Sequence, residues 1–270
     1  PAIRDVLPFP HMRPERNTNN PNRIAAGGLS AAALDDVSEQ VGEPCAVDAP
    51  ATEADGAAAV SDAVSTVAAP AKGAALDAGI TRDEAYALLT EHNSDAFHIK
   101  HAETLEALMR YYAQNYDPQN VEFWGIVGLL HDLDWEEFPT AGDHTLRSAE
   151  MLEAVGANPL VARCIQTHAS DSNPALPVPE AKMEKVLFAC DELSGLIQAA
   201  VLMRPSKSVQ DFSVKSLKKK YKDKKFAAGC DRENIAHGAQ LNGMELDELF
   251  ASVIEAMKAV DPDKDAVAQD

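Results

Sequence analysis

The stretch from Val121 to Leu133, VEFWGIVGLLHDL, is the densest apolar run of the chain, and it contains the doublet His131–Asp132. Its length and apolar character predict a buried helix. An ionised carboxylate beside an imidazole at the end of such a helix is costly unless a cation or hydrogen bonds compensate. Imidazole and carboxylate together suit divalent zinc, manganese, iron and nickel. The doublet is therefore predicted to bind a divalent metal.

Helical patterns continue on both sides of this stretch. Thr81 and Glu84 have the spacing of a capping box, which predicts the start of a helix. Gly156 is a residue type that commonly follows the end of a helix. Asn158 and Pro159 are typical of an N-cap and of the first residue of the next helix. No alternating strand pattern is present, so the sequence predicts an all-α domain of roughly seven to nine helices over residues 80–262. The other helices are predicted over residues 143–155, 183–203 and 245–260, before a short tail at 263–270.

Residues 1–79 differ in composition from the rest. They contain many prolines, the polar run from Asn17 to Asn22, long Ala/Val/Ser/Asp tracts and Phe9 as their only aromatic residue. A segment so poor in large side chains buries too little apolar area to offset its ordering entropy. We therefore predict that residues 1–79 form a disordered segment or flexible tether. Residues 1–21 are a candidate docking peptide for a protein partner.

Charge and cysteine usage exclude several classes of protein. The 270 residues carry a formal net charge of −19, which would repel a phosphate backbone, so nucleic acid is not an expected partner. No run approaches the ~18 consecutive apolar residues of a membrane helix, and the opening residues lack the pattern of a secretory signal. Four widely spaced cysteines suit free thiols in a reducing compartment. These features predict a cytoplasmic protein without a membrane span.

Histidine placement is the next informative feature. Five of the eight histidines fall within residues 98–168. A single histidine in a helix is usually an ordinary core or surface residue, so the pattern carries weight only as a set. The set, each member on a separate predicted helix or helix end, is His101, His131–Asp132, His144 and His168. The histidines that we leave as ordinary residues are His92, His98 and His237.

Asp191, like Asp132, is an acidic residue in an apolar predicted helix. It follows Leu187-Phe188-Ala189-Cys190 in the middle of the most hydrophobic predicted helix. An ionised carboxylate in that setting needs a partner. The metal predicted at the doublet is such a partner, so Asp191 is a candidate ligand as well.

The order of these residues resembles the HD-domain superfamily of metal-dependent phosphohydrolases, whose signature is H…HD…D on a helical bundle. The resemblance covers residues 81–260 and none of the N-terminal part. It implies an HD-type helical bundle with two divalent ions bridged by Asp132. The ligands that the resemblance implies are His101, His131 and Asp191 for one ion and His144 and His168 for the other.

The signature departs from its common form in one place. Where the family commonly has HDIG, this chain reads His131-Asp132-Leu133-Asp134. No GYP element is present, so a cyclic dinucleotide phosphodiesterase of that subtype is not predicted, and the subfamily stays open. Asp132 and Asp134 are candidate catalytic residues. Asp134 could act as an acid, as a base or as an anchor for a ligating histidine.

A basic segment follows the helix that carries Asp191. Residues 206–225 contain eight lysines against two aspartates, a local charge of +6 in an acidic chain. Basic groups next to a metal site can attract a phosphate or carboxylate ligand. A solvated helix face is the better interpretation of most of these lysines. The residues predicted to contact a small anionic substrate are Arg204, Lys207 and Lys215.

Three functions remain open from the sequence. The first is a metal-dependent hydrolase of a small phosphorylated substrate, a phosphomonoester or phosphodiester such as a nucleotide, which uses a dinuclear His/Asp site. The second is an HD-type di-iron oxygenase that cleaves a C–C or C–P bond with the same ligands. The third is a non-catalytic, metal-stabilised module that the N-terminal segment tethers to an assembly.

Overall fold

The structure, a computed structural model, describes residues 64–140 and 142–262. These ranges contain nine α-helices, one short 3-10 helix and no strand, which confirms the all-α prediction. The predictions of a disordered segment and a docking peptide within residues 1–63, and of a tail at 263–270, lie outside the described residues. The helices are α1 Arg82–His92, α2 Ala96–Tyr116, α3 Val121–Leu130, α4 Leu146–Ala154, α5 Pro159–His168, α6 Lys182–Leu202, α7 Val214–Lys222, α8 Arg232–Leu241 and α9 Leu246–Val260.

The helix boundaries follow the capping residues that the sequence indicated. Thr81 Oγ1 accepts a hydrogen bond from the Glu84 amide, and the Glu84 carboxylate accepts one from the Thr81 amide, so the predicted capping box is present. Gly156 follows α4 with a φ of +74°, a conformation that glycine adopts readily. The Asn158 side chain caps α5, which begins at Pro159 as predicted.

Helices α2 and α3 pack in very close contact because α3 carries glycine at the crossing point. A Cβ placed on Gly128 would lie 2.6 Å from the Leu105 carbonyl oxygen on α2, so any larger residue would force the helices apart. Leu105 is one turn after His101, and Gly128 is one turn before His131. The glycine therefore lets the two backbones approach where both histidines face each other.

Helix α6 runs through the centre of the domain and is buried along nearly all of its length. It contacts α2, α5, α7, α8 and α9. Most of the apolar residues of α6 belong to one continuous core that includes Trp124 of α3 and Phe250 of α9. Asp191 is thereby carried into the interior, where its carboxylate meets His101 of α2 and His131 at the end of α3.

The packed unit begins before the boundary predicted at residue 80. Ala78 is buried, and its carbonyl oxygen accepts a hydrogen bond from the Asn158 amide. The Leu76 amide donates to Asn120 Oδ1, and the Ser65 amide donates to Gln166 Oε1. Residues 64–79 therefore lie along the helical domain through backbone hydrogen bonds. Composition did not indicate this, because these contacts use the main chain rather than large side chains.

No helix within residues 64–140 and 142–262 has the length and apolar character required to cross a membrane. Three cysteines, Cys164, Cys190 and Cys230, lie in this part of the chain as buried free thiols. This agrees with the prediction that the cysteines are unpaired, and burial raises the pKa of the Cys190 thiol to about 12. Cys45 lies outside the described residues.

Candidate metal centre

The six predicted ligands converge in the interior of the bundle. They form two groups that could each hold a metal ion, and Asp132 belongs to both. Within each group the ligand atoms all lie within 4.8 Å of one another. We call these six residues the ligand cluster. Its members are His101 on α2, His131 and Asp132 after α3, His144 before α4, His168 at the end of α5 and Asp191 on α6.

The first group joins α2, α3 and α6. The Nε2 atoms of His101 and His131 lie 3.2 Å apart, and His101 Nε2 lies 3.2 Å from Asp191 Oδ1. His131 Nε2 lies 3.3 Å from Asp132 Oδ2 and 3.6 Å from Asp191 Oδ1. Two imidazole nitrogens and two carboxylates thus face one point, although the residues are up to 90 positions apart in the chain.

The second group lies on the other side of Asp132. The Nε2 atoms of His144 and His168 are 3.3 Å apart. They lie 3.3 Å and 3.4 Å, respectively, from Asp132 Oδ1. The two oxygens of one carboxylate are therefore shared between the groups, Oδ2 towards His131 and Oδ1 towards the second pair of histidines. A carboxylate in this position is suited to bridge two cations.

The histidine tautomers fit cation binding. His131 Nδ1 donates to the Gly128 carbonyl oxygen at 2.8 Å, and His168 Nδ1 donates to the Ile165 carbonyl oxygen at 2.6 Å. A carbonyl oxygen can only accept, so Nδ1 carries the proton and a neutral ring has its lone pair at Nε2. These lone pairs point into the cluster, where they repel one another unless a proton or a metal ion accepts them. The donor set is the one that divalent transition metals bind.

Asp134 orients one of the ligands. Its side chain is 0% exposed, and its Oδ1 accepts a hydrogen bond from His144 Nδ1 at 2.9 Å. Its other oxygen accepts from the Ser148 amide at 2.9 Å. Both oxygens are thus occupied by protein donors, as in the carboxylate–histidine–metal arrangements of known metal sites. Of the roles considered for Asp134, these contacts favour the anchor for His144 over a catalytic acid or base.

The turn before α4 also contributes to the position of His144. Thr145 is buried and has a φ of +68°, in the left-handed region that is unusual for a threonine. This conformation reverses the chain between His144 and the first turn of α4. The Trp135 ring packs edge-on against the His144 imidazole, with 4.8 Å between the ring centroids. A strained backbone and an aromatic neighbour together hold this ligand in place.

The electrostatics of the ligand cluster couple its acids and bases. Burial lowers the pKa of His131, but the carboxylates of Asp132 and Asp191 outweigh it and raise that pKa to about 10. Burial also lowers the pKa of His144, and Asp132 and Asp134 raise it to about 9. Burial raises the pKa of Asp132, and the charge of His131 then lowers it well below its usual range. Protons and metal ions therefore compete for the same nitrogen atoms.

Access to the ligand cluster is greatest at Asp132. Its side chain is 24% exposed, whereas the side chains of His131 and His168 are fully buried. The bridging carboxylate therefore lies at the surface of the cluster that solvent reaches. The histidines surround it from the interior side, and the catalytic role of Asp132 stays a prediction.

The residues predicted to bind substrate come after the end of α6 in the chain. Helix α6 continues for 11 residues after Asp191 before it ends at Leu202, a distance of about 16 Å along the helix axis. Arg204 follows, pairs with Asp211 and lies over the Phe212 ring. Lys207 and Lys215 are exposed. Contact of these three residues with a substrate stays a prediction.

Two histidines that the sequence left as ordinary residues have structural partners. His98 Nδ1 lies 3.0 Å from Glu136, whose carboxylate also accepts from the Ser94 and Asp95 amides at the start of α2. His92 Nδ1 lies 2.7 Å from Glu137. Each of these histidines thus has a glutamate partner, and neither residue belongs to the ligand cluster.

Several groups that shape the centre could not be found from the sequence. The carbonyl oxygens of Gly128 and Ile165 orient two ligands, but backbone acceptors leave no residue-type signal. Trp135 and Thr145 each had a weak signal, since they are direct neighbours of predicted ligands or of Asp134. Comparison of the whole sequence with protein families, with curated proteins and with solved structures gives no match in any of the three.

Proposed function

We propose that this protein is an HD-type metal-dependent hydrolase of a small phosphorylated substrate. The observation that carries the proposal is the division of the Asp132 carboxylate between two ligand groups, with Oδ2 3.3 Å from His131 and Oδ1 3.3 Å from His144. Six histidine and aspartate side chains in this order along a helical bundle resemble the HD-domain signature. The resemblance supports phosphoester hydrolysis as the reaction.

The donor set fits divalent ions, and each residue then has a defined task. Two such ions, typically about 3.5–4 Å apart, lower the pKa of a water and neutralise charge on a phosphoryl group. His101, His131 and Asp191 would hold one ion, and His144 and His168 the other. Asp132 bridges both groups and faces the solvent-accessible surface. The buried backbone carbonyls behind His131 and His168 keep the two rings from rotating when substrate enters.

The proposal is tested by metal analysis followed by a substrate screen. The full chain is purified, its metal content is measured, and it is assayed with Mn²⁺, Fe²⁺, Zn²⁺, Ni²⁺ and Mg²⁺ against phosphomonoesters and phosphodiesters. We expect about two ions per chain and phosphate or alcohol release that a chelator stops and one of these metals restores. Hydrolysis of neither ester class with any metal would overturn the proposal.

A di-iron oxygenase is the second candidate, because imidazole and carboxylate ligands accept iron as readily as manganese or zinc. The discriminating measurement is product formation without oxygen. Anaerobic phosphoester hydrolysis, with no mixed-valent iron signal in electron paramagnetic resonance, supports the hydrolase. Oxygen-dependent C–C or C–P cleavage by the iron-loaded protein, without phosphoester hydrolysis, supports the oxygenase instead.

A further inference from the structure

A histidine–aspartate pair outside the ligand cluster lies close to it. His237 Nδ1 lies 2.8 Å from Asp171 Oδ2. The two side chains are 12% and 7% exposed, so this pair is far more buried than the otherwise similar pair of His92 and Glu137, at 22% and 44%. The sequence left His237 as an ordinary residue. Its burial next to a carboxylate sets it apart from the surface histidines.

The fold places this pair between elements that carry ligands of both groups. Asp171 lies in the turn after α5, three residues after the ligand His168. The His237 ring packs edge-on against Phe188 of α6, with 5.2 Å between centroids. Phe188 is three residues before Asp191, a spacing that puts two side chains of one helix about 5–6 Å apart. The pair thus connects α8 to the elements that carry His168 and Asp191.

The close contact between α8 and α6 fixes His237 in this position. A Cβ on Gly238 would lie 2.7 Å from the Ala189 Cα, so glycine is required for the two backbones to approach. Ala189 is two residues before Asp191, and Gly238 is next to His237. The residue that permits the approach therefore also sets the distance between His237 and the α6 ligand.

Both residues of the pair keep unused hydrogen-bonding capacity. Asp171 Oδ1 is buried and has no hydrogen-bond partner among the described residues, and no hydrogen bond within this part of the chain involves His237 Nε2. An unpartnered oxygen on a buried carboxylate is costly. A histidine whose Nδ1 is held by a carboxylate has its Nε2 oriented for proton transfer, which is the arrangement that general acids and bases use.

We propose that His237 is the proton donor to the leaving group in the hydrolysis, and that Asp171 is its positioning residue. This inference rests on the proposed function. In the step, the oxygen of a water bonds to phosphorus, and the bond from phosphorus to the ester oxygen breaks with its electron pair on that oxygen. The ester oxygen takes a proton from Nε2 of the His237 imidazolium. The proton lost by the water passes to solvent, and the neutral imidazole takes a proton from solvent once the products leave.

The test uses the dependence of the rate on the leaving group. A p-nitrophenolate leaves without a proton, whereas an alkoxide needs one. We expect His237→Gln to lower kcat about 100-fold or more on alkyl esters of phosphate and only slightly on p-nitrophenyl esters, with unchanged metal content. Asp171→Asn should show the same selectivity with a smaller loss. The matched control is His92→Gln, which changes a histidine–glutamate pair outside the cluster and should leave both rates unchanged.

The outcomes separate this inference from the proposed function. Equal losses on both ester types, or loss of bound metal in His237→Gln, would assign His237 a structural role and overturn the inference alone. A wild-type rate that already falls steeply from p-nitrophenyl to alkyl esters would overturn it as well, because no proton donor would then be acting. If the wild type hydrolyses neither type of ester with any metal, the proposed function itself is overturned.

Discussion

Two charged regions of this chain differ in what the fold does with them. The ligand cluster gathers six side chains from distant parts of the sequence into one buried place. The basic segment at residues 206–225, which we call the lysine-rich segment, is contiguous in sequence, yet its side chains point to different partners. Lys218 pairs with Asp247, and the Lys220 ammonium lies over the Phe226 ring, while Lys207 and Lys215 are exposed. The ligand residues are thus far apart in the sequence and close together in space, whereas the lysines are close together in the sequence and spread out in space.

The comparison indicates which charged residues require a specific partner. An exposed lysine is solvated wherever it lies, so a run of lysines on a surface helix costs little and requires no common partner. A buried carboxylate or imidazole is different, because its desolvation must be offset by a specific partner. The apolar context of Asp132 and Asp191 was therefore a stronger signal than the number of lysines.

The largest expected effect comes from removing the shared carboxylate. Asp132→Ala leaves the Nε2 atoms of His131, His144 and His168 without their shared carboxylate, so bound metal should fall below one ion per chain. The turnover rate should fall about a thousandfold or more, because several kcal/mol of transition-state stabilisation are lost. Metal analysis and initial rates on the same preparation measure both losses.

The control for that variant is His98→Ala. His98 lies on the same helix as His101, but its partner is Glu136. We expect metal content and kcat within about twofold of wild type, because surface ion pairs contribute little. If His98→Ala and Asp132→Ala lose metal alike, the assignment of which histidines converge is wrong.

A smaller effect is expected from the anchor of His144. Asp134→Asn keeps the shape of the side chain but removes the charge that holds Nδ1 of the ligand. Metal affinity should fall about 10–100-fold, which competition with a chromophoric chelator measures. The matched change is Asp247→Asn on α9, which removes the charge that pairs with Lys218 of the lysine-rich segment and should leave the affinity unchanged. If Asp134→Asn binds metal with the affinity of the wild type, Asp134 does not position His144.

Metal affinity should also rise with pH. The carboxylates of the cluster raise the pKa of His131 to about 10 and that of His144 to about 9, so both rings are protonated at neutral pH and must lose a proton to bind a cation. Below pH 9 the affinity should therefore increase by up to about tenfold per pH unit for each proton released. Calorimetry in buffers of different ionisation enthalpy counts these protons, and a count of zero would contradict the raised pKa values.

The smallest effects are expected in the lysine-rich segment. Lys207→Ala and Lys215→Ala should change kcat/KM by less than about twofold at physiological ionic strength, because the field of an exposed charge is screened over a Debye length of about 8 Å. Initial rates at two salt concentrations provide the measurement. A tenfold rise in KM for either variant would identify that lysine as a substrate contact and would remove the contrast between the two regions.

Much of the fold was predictable because its signals are local. The capping box at Thr81, the Asn158–Pro159 start of α5 and the glycine after α4 depend on a few neighbouring residues, and all are present as predicted. The sequence placed the doublet at the end of the apolar helix, and α3 ends at Leu130, directly before it, although the apolar run continues to Leu133. The contacts of residues 64–79 were missed, since main-chain hydrogen bonds to Gln166, Asn120 and Asn158 have no signature in composition.

The sequence by itself indicated Asp132 and Asp191 as buried charges, because a charged group in an apolar helix is anomalous before any coordinates are known, and the resemblance to the HD-domain signature implied the other ligands. Only the tertiary structure decided that Asp132 divides its oxygens between two groups, that Asp134 serves His144, and that Asp171 lies against His237. The reason is physical. Helical periodicity is a property of neighbouring residues, whereas ligand distances are set by backbone approaches such as Gly128 against α2 and Gly238 against α6, which connect positions far apart in the chain.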